Sequence, residues 1–278
     1  MRANANRKVV TIRPRVKALA AKSHRPKKVF ESKQAIIFDD LLPEDTYQRV
    51  NRFMLMSDYK HINTNGRVSR AWHIHDGFPL RSSFDFFYFA DKSLKPKDGY
   101  VYPTGDELDH FTDHLLATQL SVEQMVGKKG AGGWEMLSVT GWIYPPGTGL
   151  SMHTDGGAYT GAFIYYLNPT WRSYWGGMLI VADEEVNRTV HDYRATRDER
   201  EFYNLKWLNA NNAEEMLMET GLAKCIFPKK NRLVFIHPQA YHMVTRVNEA
   251  AGDNPRMSLA GFFHKKNPLK GEQEEEDS

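Results

Sequence analysis

Cysteine is nearly absent: Cys225 stands alone among 278 residues, which excludes an intramolecular disulfide and a cysteine-built zinc site. A reducing, cytoplasmic setting is the natural expectation. No apolar run approaches the ~20 residues of a membrane span, and no apolar stretch near the N-terminus resembles a secretory signal. No internal repeat is apparent. Acid is missing from residues 1–30, which hold ten Lys/Arg, and base is missing from residues 271–278, which hold five acids. The formal charge of +3 therefore belongs to the ends, and residues 31–270 sum to −2. A near-neutral body offers no strong basic field for nucleic acid. The basic leader, residues 1–30, reads as a flexible solubilising tail, with a nucleic-acid arm or a transit peptide as the alternatives. The acidic tail, residues 265–278, reads as disordered.

What is present is the composition of a soluble globular protein, 41% hydrophobic and 26% charged. The length suits one large domain or two small ones and can bury roughly three quarters of the unfolded surface. "AIIFDDLLPEDTYQRVNRFMLMSDYK" predicts a short strand and then a helix, with Pro43, Glu44 and Asp45 at its start. A second helix is predicted in "GDELDHFTDHLLATQLSVEQMVG", with Leu108, Phe111, Leu115 and Leu116 on one face. The aromatic-rich stretch between them, "AWHIHDGFPLRSSFDFFYFAD", reads as irregular. From residue 134 short alternating strands follow one another between Gly, Pro and Asn turns, which favours an antiparallel sandwich or barrel. A polar segment, residues 185–224, interrupts them and has the length of a lid or substrate loop.

The stretch "GLSMHTDGG" holds His153 and Asp155 two positions apart. On a strand they would face the same way. Two histidines and a carboxylate on one face of an octahedron suit non-haem iron(II). His-x-Asp alone is a weak signal, because many chains carry it in an exposed turn. His73 and His75 have the same spacing and precede Asp76. His110 and His114 share a helix face, but Phe111 stands where a zinc protease needs Glu, so they read as surface residues. For a third ligand "NRLVFIHPQAYHMVTRV" offers both His237 and His242. Further on, Arg256 and Ser258 of "RMS" lie on one strand face and suit a carboxylate.

Taken together, "WIYPPGTGLSMHTDGG", "GAFIYYLNPTW", "WGGMLIV", "NRLVFIHPQAYHMVTRV" and "PRMSLAGFF", in that order, resemble the prolyl-hydroxylase-like branch of the iron(II)/2-oxoglutarate-dependent dioxygenases. The similarity covers residues 134–264. It implies a mainly β fold with flanking helices, around a double-stranded β-helix (jelly-roll or cupin-like) core. Residues 31–133 would pack on that core and help to form the substrate pocket, and residues 185–224 would be an insertion in it. The resemblance implies His153, Asp155 and His242 as iron ligands, with His242 preferred to His237 because the family places its distal histidine before a hydrophobic residue and Val. It implies Arg256, assisted by Ser258, as the partner of the distal carboxylate of 2-oxoglutarate, with Tyr166 and Tyr144 beside it. Asp155 is retained where halogenases have Gly or Ala, so oxygenation is implied.

The activity implied is a hydroxylase that uses iron(II), 2-oxoglutarate and dioxygen to oxidise an unactivated C–H bond, releasing succinate and carbon dioxide. A small metabolite or amino-acid-derived compound is the expected substrate, with a protein side chain such as proline as the alternative. A non-catalytic β-barrel binding protein is the reading from another class. Arg67, Arg70, Trp72 and His75 are candidates for the substrate pocket. A membrane or nucleic-acid partner is not expected.

Overall fold

Two β-sheets face each other across the site, and alternation along their strands dictates which side chains turn inward. The computed structural model describes residues 24–62, 76–91, 93, 99–188 and 222–266. The elements are β1 (Lys27–Glu31), β2 (Ala35–Asp39), α1 (Glu44–Leu55), β3 (Tyr59–His61), β4 (Leu80–Ser82), β5 (Phe86–Phe89) and β6 (Tyr100–Val101). Then come α2 (Glu107–Gln119), α3 (Glu123–Val126), β7 (Met136–Tyr144), β8 (Leu150–His153), β9 (Tyr159–Tyr166) and β10 (Leu179–Ala182). The chain continues through β11 (Ala223–Ile226), β12 (Leu233–Ile236), β13 (His242–Val244) and β14 (Arg256–His264). The larger sheet runs β1-β2-β12-β9-β14-β7-β4-β3, with β5 also on β7 and β6 on β5. The smaller runs β11-β10-β13-β8. This is the expected double-stranded β-helix.

β14 lies between β7 and β9 and shows the division of labour. Its odd-numbered residues Met257, Leu259 and Phe263 are buried with the helices, against Tyr47, Val50 and Met54 of α1 and Leu108, Phe111 and Leu115 of α2. Its even-numbered residues, beginning with Arg256 and Ser258, face the space between the sheets. That inner layer also holds Tyr144, Tyr166, Leu179, Val181, Val234 and Val244. Gly261 lets β7 approach β14, since a Cβ there would lie 1.8 Å from the Ser138 carbonyl oxygen. Both helices begin as their sequences prescribe. Pro43 caps α1 ahead of Glu44 and Asp45, and the Asp106 side chain accepts the Leu108 N–H of α2.

The aromatic stretch read as irregular contributes β4 and β5, which extend the larger sheet. The end of the basic leader is also structured, because Lys27–Glu31 pairs with β2. β11 begins inside the segment assigned to the insertion. The rest of the leader (1–23), Arg67, Arg70, Trp72, His73, His75, most of the insertion (189–221) and the acidic tail from 267 lie outside the described residues. No helix among the described residues is long and apolar enough to cross a membrane.

Candidate metal centre

His153 closes β8 and His242 opens β13, and the antiparallel register sets the two directly opposite each other. Their rings are 4.3 Å apart between centroids. Asp155 is not on the strand with His153, as the spacing suggested. It lies just beyond the strand end, and the turn of the chain swings its carboxylate back. Asp155 Oδ1 is then 3.7 Å from Nε2 of each histidine. One donor atom from each of the three residues lies within 4.8 Å of the others. His237, the competing histidine, is not in this group. His110 and His114 are on α2 and outside this group; His110 is exposed, whereas His114 is half-buried with its ring against His24.

Each histidine is oriented from behind. Nδ1 of His153 is 2.7 Å from the Ser151 carbonyl, and Nδ1 of His242 is 2.9 Å from the Ala240 carbonyl. A carbonyl only accepts, so both rings carry their proton on Nδ1 and turn an Nε2 lone pair to the centre. Burial, and then the positive charge that His242 can carry, push the His153 imidazole down to about 3, so it is neutral near pH 7. Burial raises the Asp155 carboxyl, and the neighbouring His242 works against that rise. Asp155 Oδ2 is buried without a hydrogen-bond partner. Two imidazole Nε2 atoms and a carboxylate with an unused oxygen fit a divalent cation, which would remove the cost of burying the acid.

Beyond this cluster, Arg256 is 1% exposed. It stands opposite Tyr144 in the β7–β14 register, and Ser258 stands opposite Tyr166 in the β9–β14 register. The guanidinium carbon is 5.1 Å from the Tyr144 ring centre and 5.0 Å from that of Tyr166. Nη1 donates to Ser258 Oγ at 3.2 Å, whereas Nε and Nη2 are buried without partners. No carboxylate pairs with Arg256 among the described residues. A cation so placed is a seat for an anion. Gly177 leaves room for its stem, since a Cβ there would meet Arg256 Cδ at 2.9 Å.

The structure thus brings His153, Asp155 and His242 into one group and Arg256, Ser258, Tyr144 and Tyr166 into another. Ser151 and Gly177 were not singled out. Ser151 could have been, since it shares the strand alternation of His153.

At the far end of β14, burial pushes His264 down to about 4. The unfolded chain takes up this proton near 6.5, the folded chain only near 4, so His264 favours unfolding as pH falls through that window. Metal-free protein should therefore have a lower urea midpoint at pH 5 than at pH 7. His264→Gln should flatten this fall, and equal pH slopes in the two proteins would acquit His264.

Residues 137–264 match the family described as the 2OG-Fe(II) oxygenase superfamily. Among curated proteins no sequence matches. Among solved structures, the chain is similar to a prolyl-4-hydroxylase of Pseudomonas putida, with 15% identity, 83% of this chain and 92% of that one covered, and a TM-score of 0.52. A Trichoplax adhaerens prolyl hydroxylase, in complex with a peptide fragment of the hypoxia inducible factor oxygen degradation domain, aligns at 14% identity over 84% of each chain, with a TM-score of 0.47. HygX of Streptomyces hygroscopicus, with nickel and 2-oxoglutarate bound, aligns at 11% identity over 82% of this chain and 81% of that one, with a TM-score of 0.44. Across residues 137–264 the chain is a member of the 2OG-Fe(II) oxygenase superfamily, an enzyme dependent on iron(II), 2-oxoglutarate and dioxygen.

Proposed function

We propose that the protein hydroxylates an unactivated C–H bond of a small metabolite or amino-acid-derived compound. In this reading R–H, dioxygen and 2-oxoglutarate become R–OH, succinate and carbon dioxide. The observation that carries it is a buried acid and two histidines in the same barrel as a buried guanidinium that no carboxylate among the described residues partners. His153, Asp155 and His242 hold the iron, each histidine through Nε2. Arg256 takes the distal carboxylate of 2-oxoglutarate through Nε and Nη2, while Ser258 holds Nη1 and the rings of Tyr144 and Tyr166 flank the guanidinium. A charge-assisted bond of this kind contributes about 1.5–3 kcal/mol. Bound iron(II) supplies dioxygen activation coupled to decarboxylation of the 2-oxo acid. The chain contributes placement before oxygen arrives, and apolar walls that keep water out.

For the substrate, the inner layer beyond Arg256 offers Trp142, Ile164 and Phe262, all half-buried. Flat and aliphatic side chains of this kind suit a compact molecule with an apolar portion. The fold shared with the Pseudomonas putida prolyl-4-hydroxylase supports a second reading, hydroxylation of a protein side chain such as proline.

Anaerobic addition of iron(II) and 2-oxoglutarate should produce a visible charge-transfer band, and admission of air should yield succinate. Absence of both would sink the enzymatic role. Metabolites and peptides screened for stimulated succinate release then separate the two substrates: stimulation by peptides alone would overturn the small-molecule reading.

A further inference from the structure

The carbonyls that orient His153 and His242 belong to residues two positions earlier in the chain. Asp76, by contrast, reaches β8 from a distant part of the chain. Among the described residues β8 is an edge strand, paired only with β13, and edge strands are the least constrained members of a sheet. Asp76 gives it what β13 does not. The Ser151 hydroxyl donates to Asp76 Oδ1 at 2.5 Å, and the Gly149 N–H donates to the Asp76 carbonyl at 2.9 Å. The next residue, Gly77, packs so closely on the turn before β8 that a Cβ would lie 2.9 Å from the Gly147 carbonyl oxygen. Its φ of +80° also favours glycine. Asp76 and Ser151 are 3% and 9% exposed, so water competes little for their bond.

Ser151 links this contact to the metal centre. Its side chain is held by Asp76, and its carbonyl accepts the Nδ1 proton of His153. Carbonyl and hydroxyl belong to one residue, so fixing the second limits the swing of the first. We propose that Asp76 is a positioning residue of the metal centre, which aims His153 Nε2 by anchoring Ser151 and Gly149 at the edge of the smaller sheet. The proposal rests on the reading of His153 as an iron ligand. Partners of ligating histidines influence affinity because they hold the ring in its binding orientation before the ion arrives.

Cobalt(II) titration of the full chain, followed by its visible absorption at a temperature where circular dichroism shows each variant folded, tests this. Asp76→Ala and Ser151→Ala should each raise the cobalt Kd by about 10–100-fold. The double variant should lose no more than the weaker single one, because both remove the same link. Asp76→Asn keeps an acceptor for the Ser151 hydroxyl and should stay within about threefold of the parent. A purely structural Asp76 would lower the melting temperature and leave cobalt spectrum and Kd at the folded temperature unchanged, which would overturn the proposal. Asp76→Asn binding as weakly as Asp76→Ala would overturn it too. Should Asp76→Ala fail to fold, Ser151→Ala carries the test. His242→Ala is the control: if it binds cobalt like the parent, the iron site itself is misread, whereas its loss beside an unaffected Ser151→Ala removes only the positioning role.

Discussion

Arg256→Met should cost the protein its co-substrate and yet stabilise the empty fold. The guanidinium is buried between two tyrosine rings with two N–H groups unpartnered and no acid paired with it among the described residues. Removing one partner of a buried, hydrogen-bonded charge pair costs about 2–5 kcal/mol. The Kd for 2-oxoglutarate should therefore rise by a factor on the order of 30 to several thousand. Iron binding should persist, since Arg256 is not among the clustered donors. In the absence of 2-oxoglutarate the sign reverses. A methionine of similar length is freed from the desolvation cost of an uncompensated charge, and such exchanges stabilise by roughly 1–4 kcal/mol. The lost ring contacts offset part of this, each being about 0.5–2 kcal/mol. A melting temperature raised by a few degrees is the expected result, at about 2–4 °C per kcal/mol. A lowered melting temperature would mean that the cation already has a compensating partner in the empty protein. Unchanged co-substrate affinity would remove Arg256 from the site.

The second large effect separates two histidines only five positions apart. His242→Ala should abolish both the charge-transfer band and the thermal stabilisation by iron(II), while His237→Ala should leave both near the parent. A ligand present at a hundred times its Kd stabilises by about 2.7 kcal/mol, so the shift is easily seen in the parent. The contrast follows from register. His242 pairs across the smaller sheet with His153. His237 follows β12 of the larger sheet, its ring accepts the Gln239 N–H at 3.3 Å, and among the described residues it belongs to no metal-donor group. Loss of binding in His237→Ala with retention in His242→Ala would exchange their roles.

The site was legible because its chemistry is written in short spacings. His153, Asp155 and His242 lie at or just beyond the end of a short strand, and Arg256 and Ser258 near the start of a long one, all flanked by recognisable residues. Asp155, however, faces His153 through the loop after β8, not through strand alternation. The long strands β7, β9 and β14 were legible because alternate residues serve different layers. β5 was not, since Phe86-Phe87-Tyr88-Phe89 is aromatic throughout and shows no period of two. β1 is exposed at every position, so its hydrophobic pattern says nothing and only pairing with β2 defines it. Asp76 escaped notice as a structural partner because Ser151 is seventy-five residues away, a distance that no local pattern spans.

The ends of the long polar segment have a consequence for how such a protein can change. Ala182 and Ala223 are paired across β10 and β11, so the chain leaves and re-enters the smaller sheet at one rung. The segment between them starts and ends on one closed stem. Doubling the length of a flexible graft adds only about 0.6 kcal/mol of closure entropy. Meanwhile β13 and β8, which bear His242 and His153, lie on the far side of β10 from that stem. Asn187, just past the stem, accepts the Tyr241 N–H beside His242, so a transplant that spares the ligands should be cut after Asn187 and before Ala223.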